Sequence, residues 1–198
     1  MNLLSFKGYE ILSESANTFS KELDSILNES IGAALGNPIS FLRIKNNAKK
    51  YQQALVQVAI NNLDFEKKKA SGRLEPEMRE ILQAATDQKN QALRDKADAL
   101  SDRMDQLATT DGLKTVAALS KNKAKIAAAE TALTTADGEE SKALKLRVQG
   151  LNKKVAADQQ QLNDYAKRYK SRKKPKSQDA AQDAAQDAAQ DISNIKTS

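Results

Sequence analysis

"PISFLRIKNNAKKYQQALVQVAINNLDFEKKKA", residues 38–70, contains no glycine and a single proline, which stands at its first position. Within it Phe41, Ile44, Ala48, Tyr51, Leu55, Val58, Asn62 and Phe65 are spaced alternately three and four residues apart. That heptad repeat puts one stripe of side chains along one side of a helix. At 1.5 Å per residue the helix reaches about 50 Å. A stripe two residues wide per heptad cannot enclose a globular core alone, so the helix is expected to lie lengthwise against others. Asn62 is the one polar member. It has two readings: a device that fixes register at a cost in stability, or a partly exposed side chain in an imperfect seam.

The same spacing recurs outward from this stretch. Leu144, Val148, Leu151, Val155, Asp158, Leu162, Tyr165 and Tyr169 form a second full series. Leu93, Ala97, Leu100, Met104 and Leu107 keep it over a shorter distance. In Val116, Leu119, Lys123, Ile126, Glu130 and Leu133 two charges interrupt it. Gly36, Asn37 and Pro38 supply a helix stop, an N-cap and a first-turn proline, and Gly72 with Pro76 repeats the arrangement. Asp111-Gly112 and Asp137-Gly138 read as further turns. Five helices are predicted, over 15–35, 38–70, 76–109, 113–136 and 139–172. The fold class is all-α: elongated helical hairpins or a coiled-coil-like bundle with a disordered or fraying C-terminal tail. The tight Asp-Gly turns favour antiparallel hairpins within the chain for the last three helices. Pairing between chains, giving a homo-oligomer through the seams, stays open.

Composition excludes most chemistry. Aromatic residues make up 4% of the 198, and tryptophan, cysteine and histidine are absent. That removes thiolate and imidazole nucleophiles, the commonest general base and the usual zinc ligands. The pairs Glu75/Glu77 and Glu139/Glu140 stand at helix starts, where negative charge complements the dipole. No catalytic residue, cofactor or metal ligand is expected. No apolar run approaches the length needed to span a bilayer, and Lys7, Glu10 and Glu14 interrupt the N-terminal stretch where a signal peptide is uninterrupted. No membrane partner is expected.

The net charge of +6 is concentrated. Residues 167–176, "KRYKSRKKPK", hold Lys167, Arg168, Lys170, Arg172, Lys173, Lys174 and Lys176, interleaved with Tyr169. Seven cations exceed what capping a helix C-terminus needs. They suit non-specific binding of DNA phosphates through counterion release. The following "QDAAQDAAQDAAQD", 178–191, offers no apolar stripe and reads as a solvated helix or a disordered tail.

Leu-x-Glu-Ser occurs twice within the first thirty residues, as Leu12-Ser13-Glu14-Ser15 and Leu27-Asn28-Glu29-Ser30, and nowhere else. The whole leader, "MNLLSFKGYEILSE" before Ser15, resembles the capsid-targeting sequences of T-even-type tailed bacteriophages. Those belong to prohead core and internal head proteins. The resemblance covers about fifteen residues, or thirty with the second site. It implies that a prohead protease cuts after the glutamate, with Leu12, Glu14 and Ser15 at a first site and Leu27, Glu29 and Ser30 at a second. It further implies a place in the prohead or virion head interior, with capsid or prohead proteins as partners. Glu14 is expected to be the main site, because it lies near a chain end and before the first strong helix. The organisation expected is a leader over 1–14, an amphipathic helix over 15–36, an elongated helical region over 38–172, and a basic then repetitive tail over 173–198. The competing expectation is a cytoplasmic coiled-coil adaptor whose seams recruit partner helices and whose leader is merely its first helix.

Overall fold

The structure is a computed structural model describing residues 6–72, 75–134 and 136–173. It contains six helices: α1 (Phe6–Ile26), α2 (Glu29–Ala34), α3 (Pro38–Ala70), α4 (Pro76–Leu107), α5 (Asp111–Leu133) and α6 (Gly138–Lys173). No strand occurs among the described residues. The fold is all-α, as the heptad spacing requires.

Local chemistry sets the boundaries. Gly36 and Gly72 take positive φ values of 71° and 67°, which end α2 and α3 at little steric cost. Asn37 caps α3 by accepting from the Ser40 N–H at 3.0 Å, with Pro38 in the first turn. Thr110 caps α5 by accepting from the Leu113 N–H at 3.3 Å. Gly112, expected to form a turn, lies inside the first turn of α5.

Two helices at the centre run parallel, α3 and α5. α4 folds back along α3, α6 folds back along α5, and α1 lies antiparallel to both in the groove between them. α2 closes one end of the bundle against α6. The heptad faces therefore meet within the chain.

The central position of α3 alters its pattern of burial. Phe41, Ile44, Ala48, Tyr51 and Phe65 of the expected seam are buried. Leu55 and Val58 are only half-buried, and Asn62 is exposed. Val56, Ile60 and Leu63, off the stripe, are buried in their place. A helix with neighbours on three sides has no single inward face, so a one-stripe reading finds only part of its core. α5 shows the same effect with smaller side chains: Ala117, Ser120, Ala124 and Ala129 are buried beside Val116, Leu119 and Ile126. The outer helices behave more simply. Ala97, Leu100 and Met104 of α4 and Val155 and Leu162 of α6 are buried on their expected stripes.

The N-terminal region departs from its predicted boundaries. α1 begins at Phe6 and passes through Glu14 and Ser15 without a break. The break falls at Leu27–Asn28 instead. There Asn28 is extended (φ −80°, ψ 171°) and caps α2 by accepting from the Ile31 N–H at 3.2 Å and from Ser30 Oγ at 2.6 Å. The helix expected over 15–35 is thus two helices, since an asparagine side chain that satisfies the next helix's free N–H groups competes with continuing the first.

Candidate cleavage segment and cationic surfaces

α1 and the residue that follows it carry an apolar stripe. Phe19, Leu23 and Leu27, four residues apart, enter the same core cluster as Ile44, Ala48, Tyr51, Val116 and Leu119. Full burial of such side chains stabilises by roughly 1.5–3 kcal/mol each. Polar contacts fix the helix sideways. Gln52 Nε2 donates to Ser15 Oγ at 2.8 Å. Lys45 Nζ donates to the Leu27 carbonyl at 3.1 Å and lies 2.8 Å from Asp24 Oδ1, so it covers the C-terminal, electronegative end of α1. Lys49 approaches the same Asp24 oxygen at 3.4 Å. The Lys45 hydrogen bond in particular holds the Asp24 carboxyl below the usual carboxylate range.

The two Leu-x-Glu-Ser copies stand in different surroundings. In the first, Glu14 is exposed in mid-helix, Leu12 is half-buried and Ser15 is tied to Gln52. In the second, Leu27 is fully buried, Asn28 is extended and Ser30 is exposed in the first turn of α2. Non-helical backbone thus occurs one residue before Glu29 and nowhere near Glu14.

Between α1 and α5 a cleft of about 410 Å³ is lined by Glu14, Glu22, Lys123, Ile126, Glu130 and Thr134, among others. Lys123 Nζ meets Glu22 Oε2 at 2.5 Å. Burial, reinforced by Glu22, pushes the Glu130 carboxyl above its ordinary pKa. The two charges that break the α5 heptad therefore face this cleft instead of a seam. In α6 the charged seam member Asp158 is also raised, by burial, although Asn122 Nδ2 reaches it at 3.5 Å.

Of the C-terminal cations, Lys167, Arg168, Lys170 and Arg172 occupy the exposed last turns of α6. Lys167 is 3.9 Å from Asp164, a loose pair that leaves its charge available. Lys173 ends the helix, while Lys174, Lys176 and the QDAA repeats lie outside the described residues. The block leaves the bundle at the end that also holds α2 and the starts of α3 and α5, because α6 runs antiparallel to α5. Glu29 and Ser30 of the second Leu-x-Glu-Ser copy, in the first turn of α2, stand at this same end, whereas Glu14 lies in mid-α1.

Sequence reasoning missed Lys45, Lys49 and Lys123 as a group. Spacing alone marks Lys45 and Lys49 as neighbours on one turn, but only the fold sets Lys123 of α5 across α1 from them.

The fold defines a class: an elongated all-α bundle with a cationic end, in which no described helix is long and apolar enough to cross a membrane. Comparisons with protein-family models, curated proteins and solved structures return no match.

Proposed function

We propose that the chain is a non-enzymatic structural protein of a phage head, acting as prohead core, scaffold or internal protein. On this reading a prohead protease trims its N-terminus and the basic block of α6 contacts packaged DNA. The observation that carries the proposal is the leader: an aromatic-lysine stretch, "SFKGYEIL", followed by two copies of Leu-x-Glu-Ser. A protease needs extended backbone, which favours Glu29 at the α1–α2 break over Glu14 within α1, the reverse of the order expected from chain position. Cleavage after Glu29 removes five acids and two lysines and raises the net charge from +6 to +9.

Intact-mass and N-terminal analysis of the protein from purified particles tests the reading. Ser30 as the first residue is expected, with Ser15 as the lesser product. A chain that still begins at Met1 or Asn2 in mature particles removes it.

A second reading, a cytoplasmic adaptor, is favoured by Met78 and Ile81 of α4 and Leu146 of α6. These are 55%, 65% and 69% exposed and would suit partner helices. Genes for virion proteins next to this reading frame would support the first, and genes for signalling or cytoskeletal proteins the second.

A further inference from the structure

α1 is held by charge as well as by packing, and the charges form a pattern. Lys45 and Lys49, one turn apart on α3, converge on a single oxygen of Asp24, while Lys123 of α5 takes Glu22. Lys45 and Lys123 have side chains only 16% and 18% exposed. The acids come from α1 alone, and the cations from the two helices it bridges. Glu130, two turns further along α5, lies in the same cleft, and Asp158 of α6 is engaged by Asn122. Among the described residues neither forms an ion pair with the three lysines, although the Lys123 charge acts on the Glu130 carboxyl through space.

Beneath α1 the fit is incomplete. Gln52 is fully buried, and its Oε1 has no hydrogen-bond partner. Gln52 is at the contact, because its Nε2 binds Ser15 of α1. Buried polar atoms without partners are costly, so α1 fills the groove without satisfying it. The hinge is also in place. The chain is already extended at Asn28, and α2 has its own cap and packs on α6, so α2 can stay docked when α1 leaves.

We infer that the groove between α3 and α5 is a masked phosphate-binding site: Glu22 and Asp24 of α1 stand in for phosphates on Lys45, Lys49 and Lys123, and release of α1 frees this strip for a nucleic-acid backbone. Two ammonium groups on one oxygen reproduce what a non-bridging phosphate oxygen accepts. Lysine, a hydrated point charge, neutralises phosphates without reading sequence. The choice of nucleic acid, and cleavage after Glu29 as the releasing event, rest on the function proposed above, whereas the masking rests on the ion pairs.

The test uses the full chain with a site-specific protease sequence inserted between Asn28 and Glu29. Lys170, Arg172, Lys173 and Lys174 are changed to glutamine so that the basic block is silent. After cutting the folded protein, α1 is expected to elute separately on gel filtration. Affinity for a short DNA duplex should then rise at least about tenfold at low salt, with a log–log salt slope steeper by roughly 2.7 for three phosphates. Adding Lys45→Gln, Lys49→Gln and Lys123→Gln should abolish the gain. An α1 that stays bound after cutting, unchanged affinity, or a gain that survives the triple change overturns the proposal. Should the cut bundle unfold, the uncut Glu22→Gln/Asp24→Asn variant decides: tighter duplex binding is expected, and unchanged binding overturns the proposal. Particles that retain Met1 would remove the leader reading and leave this result standing.

Discussion

Leu35 lies over Gly112 so closely that a Cβ on the glycine would stand 2.2 Å from Leu35 Cδ2. Gly112 is helical, so the glycine is there for space and not for a left-handed turn. The contact seats the end of α2 on the start of α5, with Tyr165 of α6 alongside.

Gly112→Ala is expected to destabilise the bundle by about 1 kcal/mol, because the displacement of Leu35 outweighs alanine's helix-propensity advantage of about 1 kcal/mol. In a Leu35→Ala background the obstruction is gone and the same change should become stabilising. Urea denaturation of the four proteins in the cycle checks this sign reversal. Additive effects would show that Leu35 moves aside freely.

Asn90 of α4 is buried between two asparagines of α3: it accepts from Asn61 Nδ2 at 2.9 Å and donates to Asn62 Oδ1 at 2.6 Å. Asn90→Asp turns the donor into a charged acceptor facing Asn62. A loss of about 2–3 kcal/mol at neutral pH is expected. Burial raises the introduced carboxyl's pKa in the folded state, so the loss should shrink as pH falls and the group protonates. Asn90→Leu, by contrast, lets Asn61 and Asn62 turn to water and should be nearly neutral. Melts at neutral and mildly acid pH separate the two.

Burial ranks the two leucines of the α6 stripe. Leu162 is fully buried in the core cluster, whereas Leu151 is half-buried. Leu162→Ala should cost about 2–5 kcal/mol and Leu151→Ala distinctly less. Equal losses in circular-dichroism melts would place both at equivalent depth and contradict the packing.

Glu130 and Asp158 both have carboxyl pKa values raised in the folded state. The folded protein therefore holds their protons to higher pH than the unfolded chain does. The stability they contribute is complete below the unfolded pKa of roughly 4 and is lost as pH rises through the folded values. Glu130→Gln/Asp158→Asn should accordingly melt higher than the parent at neutral pH, and the difference should close towards pH of about 4. Asp24, shifted the other way, contributes stability that is lost in acid, but it is common to both proteins and cancels in the comparison. A difference that does not vary with pH would refute the assignment.

The helical class, the stops at Gly36 and Gly72, and the inward stripes of α4 and α6 were determined by the sequence itself. Each depends on interactions within one helix: the 3.6-residue period, positive φ at glycine, and side-chain caps within a turn. Tertiary structure decided the rest. It put α3 and α5 at the centre, so that Val56 and Ile60 became core while Asn62, on the stripe, reached the surface. It also decided that Gly112 gives room to Leu35, and that Asn28 splits the first helix. Most of all, it set Lys123 across α1 from Lys45 and Lys49, about seventy-five residues away in the chain. Periodicity assigns a residue to a face but not to a neighbour; which charges meet depends on the order in which helices pack, and that is fixed by the summed burial of the whole bundle.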